Sequence, residues 1–167
     1  MPSPVGHALG GIAAGWLLIP RDPRRQKPIP AAAVIAALAA APDLDLLVHA
    51  HRGPSHSLGA ALLAGLAAVA VTRSPRWGIA AAAAWSSHVL LDWLGTDTRP
   101  PFGLMAFWPV SRVYFESSLH VFPAISRRYW LAEFWFYNLK ALAVELCVMV
   151  PVTWAVIALS RRWEKTP

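Results

Sequence analysis

Nine residues could carry chemistry that the apolar remainder of this chain cannot: His7, Asp43, Asp45, His49, His51, Arg52, His56, His88 and Asp92. Imidazoles and carboxylates are ligands for divalent metals, and zinc is the ion that such a mixed donor set suits best. His88 and Asp92 are four residues apart, so on a helix they share a face. Asp43 and Asp45 stand in the turn-forming stretch PDLD, and His51, Arg52 and His56 in HRGPSHS. Ionisable side chains close to hydrocarbon are costly unless paired or liganded. Each also has a plainer reading. His7 suits an interfacial or capping residue, PDLD a helix-ending turn, Ser55 a cap for the helix that follows, and His49 an ordinary interfacial histidine. Arg52 suits a topological charge facing lipid phosphate. His120 has no assigned role. The metal reading rests on the joint pattern, with His7, Asp43, Asp45, His51, His56, His88 and Asp92 as candidate ligands to one or two ions.

A divalent ion held there acidifies water into a nucleophile, and two ions would steady an in-line displacement at phosphorus. Asp43 is the first candidate for a bridging ligand or water-orienting base, with Asp45 close behind. The planar fork of Arg52 suits a phosphate, and Arg112 is a second candidate. Other catalytic patterns are missing: the sequence has no G-x-S-x-G elbow, P-loop or H-E-x-x-H. Ser57 follows His56, but adjacency in sequence does not make a triad.

The elements that must position these residues are apolar helices. Hydrophobic residues make up 56% of the 167 and charged residues 14%, against roughly a quarter charged in soluble domains. The composition therefore predicts an all-α, multi-pass transmembrane bundle formed by one domain, residues 1–167. One cysteine, Cys147, excludes an intramolecular disulfide and any CxxC metal site. Charge-free runs predict five helices, over Val5–Ile19, Ile29–Ala41 (broken at Pro42), Ser55–Thr72, Trp77–Leu94 and Tyr129–Ser160. Several are shorter than the roughly 20 residues that a span needs, which leaves a soluble alanine-rich bundle as the competing class. Nine tryptophans, many at the ends of runs, favour the membrane. The first run has no basic segment before it and reads as a retained helix rather than a cleaved signal. The last run is either an interfacial amphipathic segment followed by a span at Ala141–Ser160, kinked at Pro151, or one tilted helix.

Five spans place Arg21, Arg24, Arg25, Lys27, Arg73, Arg76, Arg161, Arg162 and Lys165 on one side, which the positive-inside rule makes cytoplasmic. The opposite side carries Arg52, Arg99, Arg112, Arg127 and Arg128, of which the last pair runs against the bias. Nearly all the candidate ligands then fall at the extracytoplasmic ends of helices. The basic residues lie scattered at loop ends, and the aromatics where a membrane belt requires them, so no nucleic-acid partner is expected.

The order His7, PDLD, HRGPSHS and His88-x-x-x-Asp92, followed by a glycine-containing loop, resembles the membrane-bound metal-dependent hydrolases, also called LexA-binding, inner-membrane-associated hydrolases. The resemblance covers roughly residues 5 to 110. That family is thought to be related to zinc-dependent phospholipase C and the P1-type nucleases. The resemblance implies that His7, Asp43 or Asp45, His51 or His56, and His88 with Asp92 ligate zinc. The soluble enzymes carry a further histidine and an H-x3-E pair. This chain offers only His120 and isolated Glu116, Glu133 and Glu145 in that role, which argues for one or two ions rather than three.

Two functions follow as expectations. The first is a membrane-embedded hydrolase of a lipid or lipid-linked phosphoester in the cytoplasmic (inner) membrane. Its substrate would reach headgroup level beside Trp93, Phe102, Phe107 and Trp108, and GTDTRPPFGLMAFWPVS would serve as a lid or acyl-chain groove. The second is a non-enzymatic metal-binding or regulatory membrane protein, the class to which a LexA-binding role would belong. Metal transport would need ligands spread through the membrane depth, whereas these cluster near one face. The topology is testable in a Cys147→Ser background. An impermeant thiol reagent should label Gly53→Cys in intact cells and Ser74→Cys only after permeabilisation. The reverse pattern would invert the orientation.

Overall fold

Prolines and serines punctuate the apolar runs and set where the helices begin. The computed structural model describes residues 1–19, 28–48, 51–98 and 100–163. Within these lie α1 (Pro4–Gly15), α2 (Pro28–Ala40), α3 (Leu58–Thr72), α4 (Pro75–Trp93) and α5 (Phe134–Trp163). Two 3-10 segments, Ala41–Val48 and Pro54–His56, join α2 to α3. Pro4 and Pro75 stand in the first turns of their helices, where a missing N–H costs nothing. Ser3 caps α1 by accepting from the Gly6 N–H at 3.3 Å. Ser57 caps α3 by accepting from the Ala60 N–H at 3.0 Å, while its own hydroxyl donates to the Pro54 carbonyl at 2.6 Å. The cap of α3 is thus Ser57 rather than Ser55.

The expected helices are all present, with ends shifted by a few residues. The last run resolves as one helix of 30 residues with Pro151 inside it, and Tyr129–Glu133 precede it in turns. The five-span expectation holds only at a coarser level. Two stretches, Ile29–Val48 and Phe134–Arg161, are long and apolar enough to cross a membrane. The 12 residues of α1 extend only about 18 Å at 1.5 Å each, short of the roughly 30 Å hydrocarbon layer. Only about a fifth of each long stretch is buried, unlike the mostly buried core helix of a soluble protein. Trp135, Leu139, Val152, Trp154 and Leu159 of α5 are exposed, as are Leu62, Leu66 and Val71 of α3. Apolar area on this scale needs a non-aqueous neighbour.

Helices α1 and α4 form the centre, and α1 packs against α2, α4 and α5. Small residues permit this. A Cβ on Gly11 would collide with Ala39 of α2, and one on Gly10 with Leu91 of α4. Close approach of small-residue faces is the usual way that helices associate in a bilayer. Around the seam, Ile35, Ala39, Ala80 and Ala84 are wholly buried. From α5, the buried carboxylate of Glu145 accepts from the Ser3 N–H at 2.8 Å and the Ser3 hydroxyl at 2.5 Å. A negative group at that point also complements the N-terminal end of the α1 dipole.

The long connection between α4 and α5 folds back over the HRGPSHS segment. The Met105 N–H donates to the Arg52 carbonyl at 3.1 Å, and the Leu58 N–H to the Ala106 carbonyl at 2.9 Å. Leu104 and Phe122 anchor it in the interior.

Replacing Gly11 by Leu should separate α1 from α2 and cost about 1–3 kcal/mol or more, read as a lower unfolding midpoint in detergent. Val71→Ala on the exposed face of α3 should leave the midpoint unchanged.

Candidate metal centre

The caps and the glycine seam bring four segments to one point. One turn after its N-cap, α1 delivers His7; the 3-10 segment after α2 delivers Asp43; the 3-10 turn before α3 delivers His56; α4 delivers His88 and Asp92. The indole of Trp85 in α4 donates to the Ser55 carbonyl at 2.8 Å and ties the His56 turn to the helix carrying His88. His7, His56 and His88 are fully buried, and Asp92 is 5% exposed. The His7 and His88 rings stack with centroids 3.7 Å apart.

Hydrogen bonds set which ring nitrogens face the centre. His88 Nδ1 lies 2.7 Å from the Ala39 carbonyl. A carbonyl only accepts, so Nδ1 carries the proton and Nε2 presents a lone pair. His56 Nδ1 lies 3.1 Å from Asp45 Oδ2, which turns its Nε2 inward in the same way. Four atoms then surround one point. His56 Nε2 and His88 Nε2 lie 3.3 and 3.4 Å from Asp92 Oδ2, and 3.6 and 3.8 Å from Asp43 Oδ1. Donors about 2.0–2.1 Å from a shared tetrahedral ion stand about 3.3–3.4 Å apart, so the spacing fits. His7 Nε2 approaches the other Asp92 oxygen at 3.3 Å, which places Asp92, rather than Asp43, between the two halves of the cluster.

These same atoms lack hydrogen bonds. His7 Nδ1 and Nε2, Asp43 Oδ1, His56 Nε2, His88 Nε2 and both Asp92 oxygens are buried without a partner. An orphaned buried polar atom costs about 1–3 kcal/mol, and lone pairs facing lone pairs repel unless a proton or cation lies between them. Asp43, His56, His88 and Asp92 therefore form a possible metal-binding cluster.

Asp45 and His51 stand behind this point. Asp45 Oδ2 accepts from the Ser55 hydroxyl at 2.6 Å, and its Oδ1 lies 3.0 Å from His51 Nδ1. With His56 they form a second group of ligand-type side chains, but here the atoms bond to one another and are satisfied without a cation. Between the alternatives left open by the sequence, Asp43 and His56 face the centre, while Asp45 and His51 orient His56. Metal-binding histidines commonly have such carboxylate partners.

Arg52 lies beside the cluster. Its guanidinium pairs with Asp97 at 2.5 Å and donates to the Pro101 carbonyl at 3.3 Å. Arg112, His120, Glu116 and Glu133 take no part in the cluster, and His49 lies outside the described residues. Sequence reasoning missed Asp97, Ser55 as a partner of Asp45, and the Ala39 carbonyl. No spacing marks Asp97, and a backbone carbonyl has no residue type to read.

Burial alone would depress His56, but the carboxylates of Asp43, Asp45 and Asp92 outweigh it and hold its pKa up at about 9. Burial lowers His51 in spite of Asp45.

An all-helical chain of membrane character with a buried His/Asp cluster defines the class. A model of the YdjM inner membrane protein family matches residues 1–164, and the chain belongs to that family. No curated protein and no solved structure matches it.

His88→Ala and Asp92→Ala should each lower both bound divalent metal and stability, because ligation and folding are coupled. His120→Ala should change neither. Unchanged metal stoichiometry in both ligand variants would remove the assignment. A proton on His56 competes with a metal, and it is bound below about pH 9. Metal affinity should therefore rise with pH up to that value, measured by competition with a chelating dye.

Proposed function

We propose that this chain is a membrane-embedded, metal-dependent hydrolase. It cleaves a phosphoester of a lipid or lipid-linked substrate at the extracytoplasmic side of the inner membrane. The observation that carries the reading is the convergence of buried, unpartnered imidazole nitrogens and carboxylate oxygens from four segments on one point. The resemblance of His7, PDLD, HRGPSHS and His88-x-x-x-Asp92 to metal-dependent hydrolases supports it.

His56, His88, Asp43 and Asp92 would hold one ion, and His7 with the second Asp92 oxygen could contribute to another. Zinc suits this nitrogen and carboxylate set. A divalent ion there supplies Lewis acidity and water activated near neutral pH. The protein's own groups do the rest. Asp43 is the most exposed carboxylate of the cluster, with 14% of its side chain accessible, and it orients the attacking water. Asp45 and His51 hold the His56 ring in register. Asp97 and the Pro101 carbonyl fix the Arg52 guanidinium, whose remaining N–H groups would serve a phosphoryl oxygen. Arg52 adopts φ +65°, a left-handed backbone that a non-glycine residue keeps only where its surroundings enforce it.

The test compares metal-loaded wild type with Arg52→Ala on dispersed phospholipids and lipid phosphates. Arg52→Ala should keep its metal, because guanidinium is not a ligand, and lose about 10²–10³ in turnover. If wild type turns over none of these substrates across metals and pH, the non-enzymatic metal-binding reading replaces this one.

A further inference from the structure

A cavity of about 450 Å³ lies next to the cluster, and none of the cluster's inward-facing ligands lines it. His51 and Arg52 form one wall; the start of α5 and the segment before it form the other. His51 belongs both to this wall and to the hydrogen-bond network of the cluster, through Asp45. Its ring also meets that of His56 edge-on at 4.8 Å. Whatever occupies the cavity is therefore separated from the cluster by little more than His51 and Arg52.

The lining has two chemistries. Ile125, Leu131, Phe134 and Tyr137 give it an apolar side, while Arg127 and Arg128 add cationic side chains. Glu133 is the only carboxylate among the described lining residues. Arg52 is already paired with Asp97. Neither Arg127 nor Arg128 pairs with a carboxylate of the described residues, and both are exposed. A third observation sets the depth. Phe134 and Tyr137 open α5, one of the two stretches of spanning length, so the cavity sits at one end of that stretch, where headgroups lie.

We propose that this cavity binds a lipid through its phosphate headgroup, with Arg127 and Arg128 holding the phosphate and the Leu131–Tyr137 side taking the start of the acyl region. The inference rests on the reading of the neighbouring cluster as one that acts on lipid-linked phosphoesters, and it names a docking site for such a lipid beside the cluster, distinct from the point at which the phosphoester reacts. It also accounts for the Arg127–Arg128 pair, which the positive-inside bias leaves on the wrong side. A cationic pair with a ligand to bind has a reason to stay where topology disfavours it. Adjacent guanidiniums suit phosphate because each presents a planar fork of donors.

The test measures binding, not turnover, on the full chain as purified in a neutral detergent. The probe is a phosphonate analogue of dioleoylphosphatidic acid, whose C–P bond resists hydrolysis. Dioleoylglycerol and glycerol 3-phosphate serve as the uncharged and lipid-free comparisons. Wild type should bind the phosphonate lipid at least tenfold more tightly than either. Arg127→Gln combined with Arg128→Gln should weaken it about tenfold or more, as expected for losing charge-assisted hydrogen bonds, with bound metal unchanged. Leu131→Ser, which removes apolar surface without adding charge, should weaken the lipid and leave glycerol 3-phosphate unaffected. Equal binding by the double variant and wild type would overturn the proposal. So would dioleoylglycerol binding as tightly as the phosphonate, or glycerol 3-phosphate matching the lipid. Because the probe is not consumed, absent turnover with intact, Arg-dependent binding would count against the hydrolase reading alone.

Discussion

The structure depends on resolving one electrostatic conflict: imidazole lone pairs and carboxylates packed together inside an apolar bundle. His56 and His88 each spend their Nδ1 proton outward, on Asp45 and on the Ala39 carbonyl. Their inward nitrogens then face the oxygens of Asp43 and Asp92 without a hydrogen bond between them. Interior repulsion of this kind is too costly to keep for stability alone. A positive charge at the centre turns the same geometry from a liability into a strong attraction. The outward hydrogen bonds look secondary, yet they are what leaves the centre suited to a cation.

The scaffold around that point is built from close approach rather than bulk. Glycines of α1 let its backbone press against α2 and α4, and this brings His7 over His88 in a stacked pair. Glu145 reaches from α5 to the first turn of α1 and holds Ser3 through both its amide and its hydroxyl. His7 lies one turn further along, so the helix that contributes no ligand still sets the register of one. The connection between α4 and α5 completes the enclosure by hydrogen bonding along the backbone of Arg52 and α3.

Much of this could be read from the sequence, for identifiable reasons. Helix positions followed from charge-free runs bounded by proline and serine, and the ends moved by a few residues: α1 stops at Gly15, α5 starts at Phe134, and capping chose Ser57 over Ser55 for α3. The cluster was visible as residue types out of keeping with their surroundings, above all His88 and Asp92. What could not be read was direction. Asp43 and Asp45, or His51 and His56, differ only in which way a short 3-10 segment turns them, and that is settled by tertiary partners such as Trp85 and Ser55. Arg52 was recognisable as a cation, but its pairing with Asp97 was not, because contacts between loops leave no periodic trace. Of the five helices, two stretches are long and apolar enough to cross a membrane: an apolar run shows that a helix avoids water, and its length decides whether it can cross.

The order of the ligands along the chain bears on how the protein is made. His7, Asp43, His56, His88 and Asp92 all precede the α4–α5 connection, whereas Glu145 and α5 follow it. During synthesis every donor emerges before the helix that braces α1, since chains fold from the N-terminus as they appear. For that interval the nascent bundle carries a full set of ligands with one helix still unclamped. A divalent ion binding there would have its easiest access then, before the α4–α5 connection closes over the HRGPSHS segment and α5 clamps α1. An ion taken up by this cluster would therefore be loaded most easily while the protein is being made.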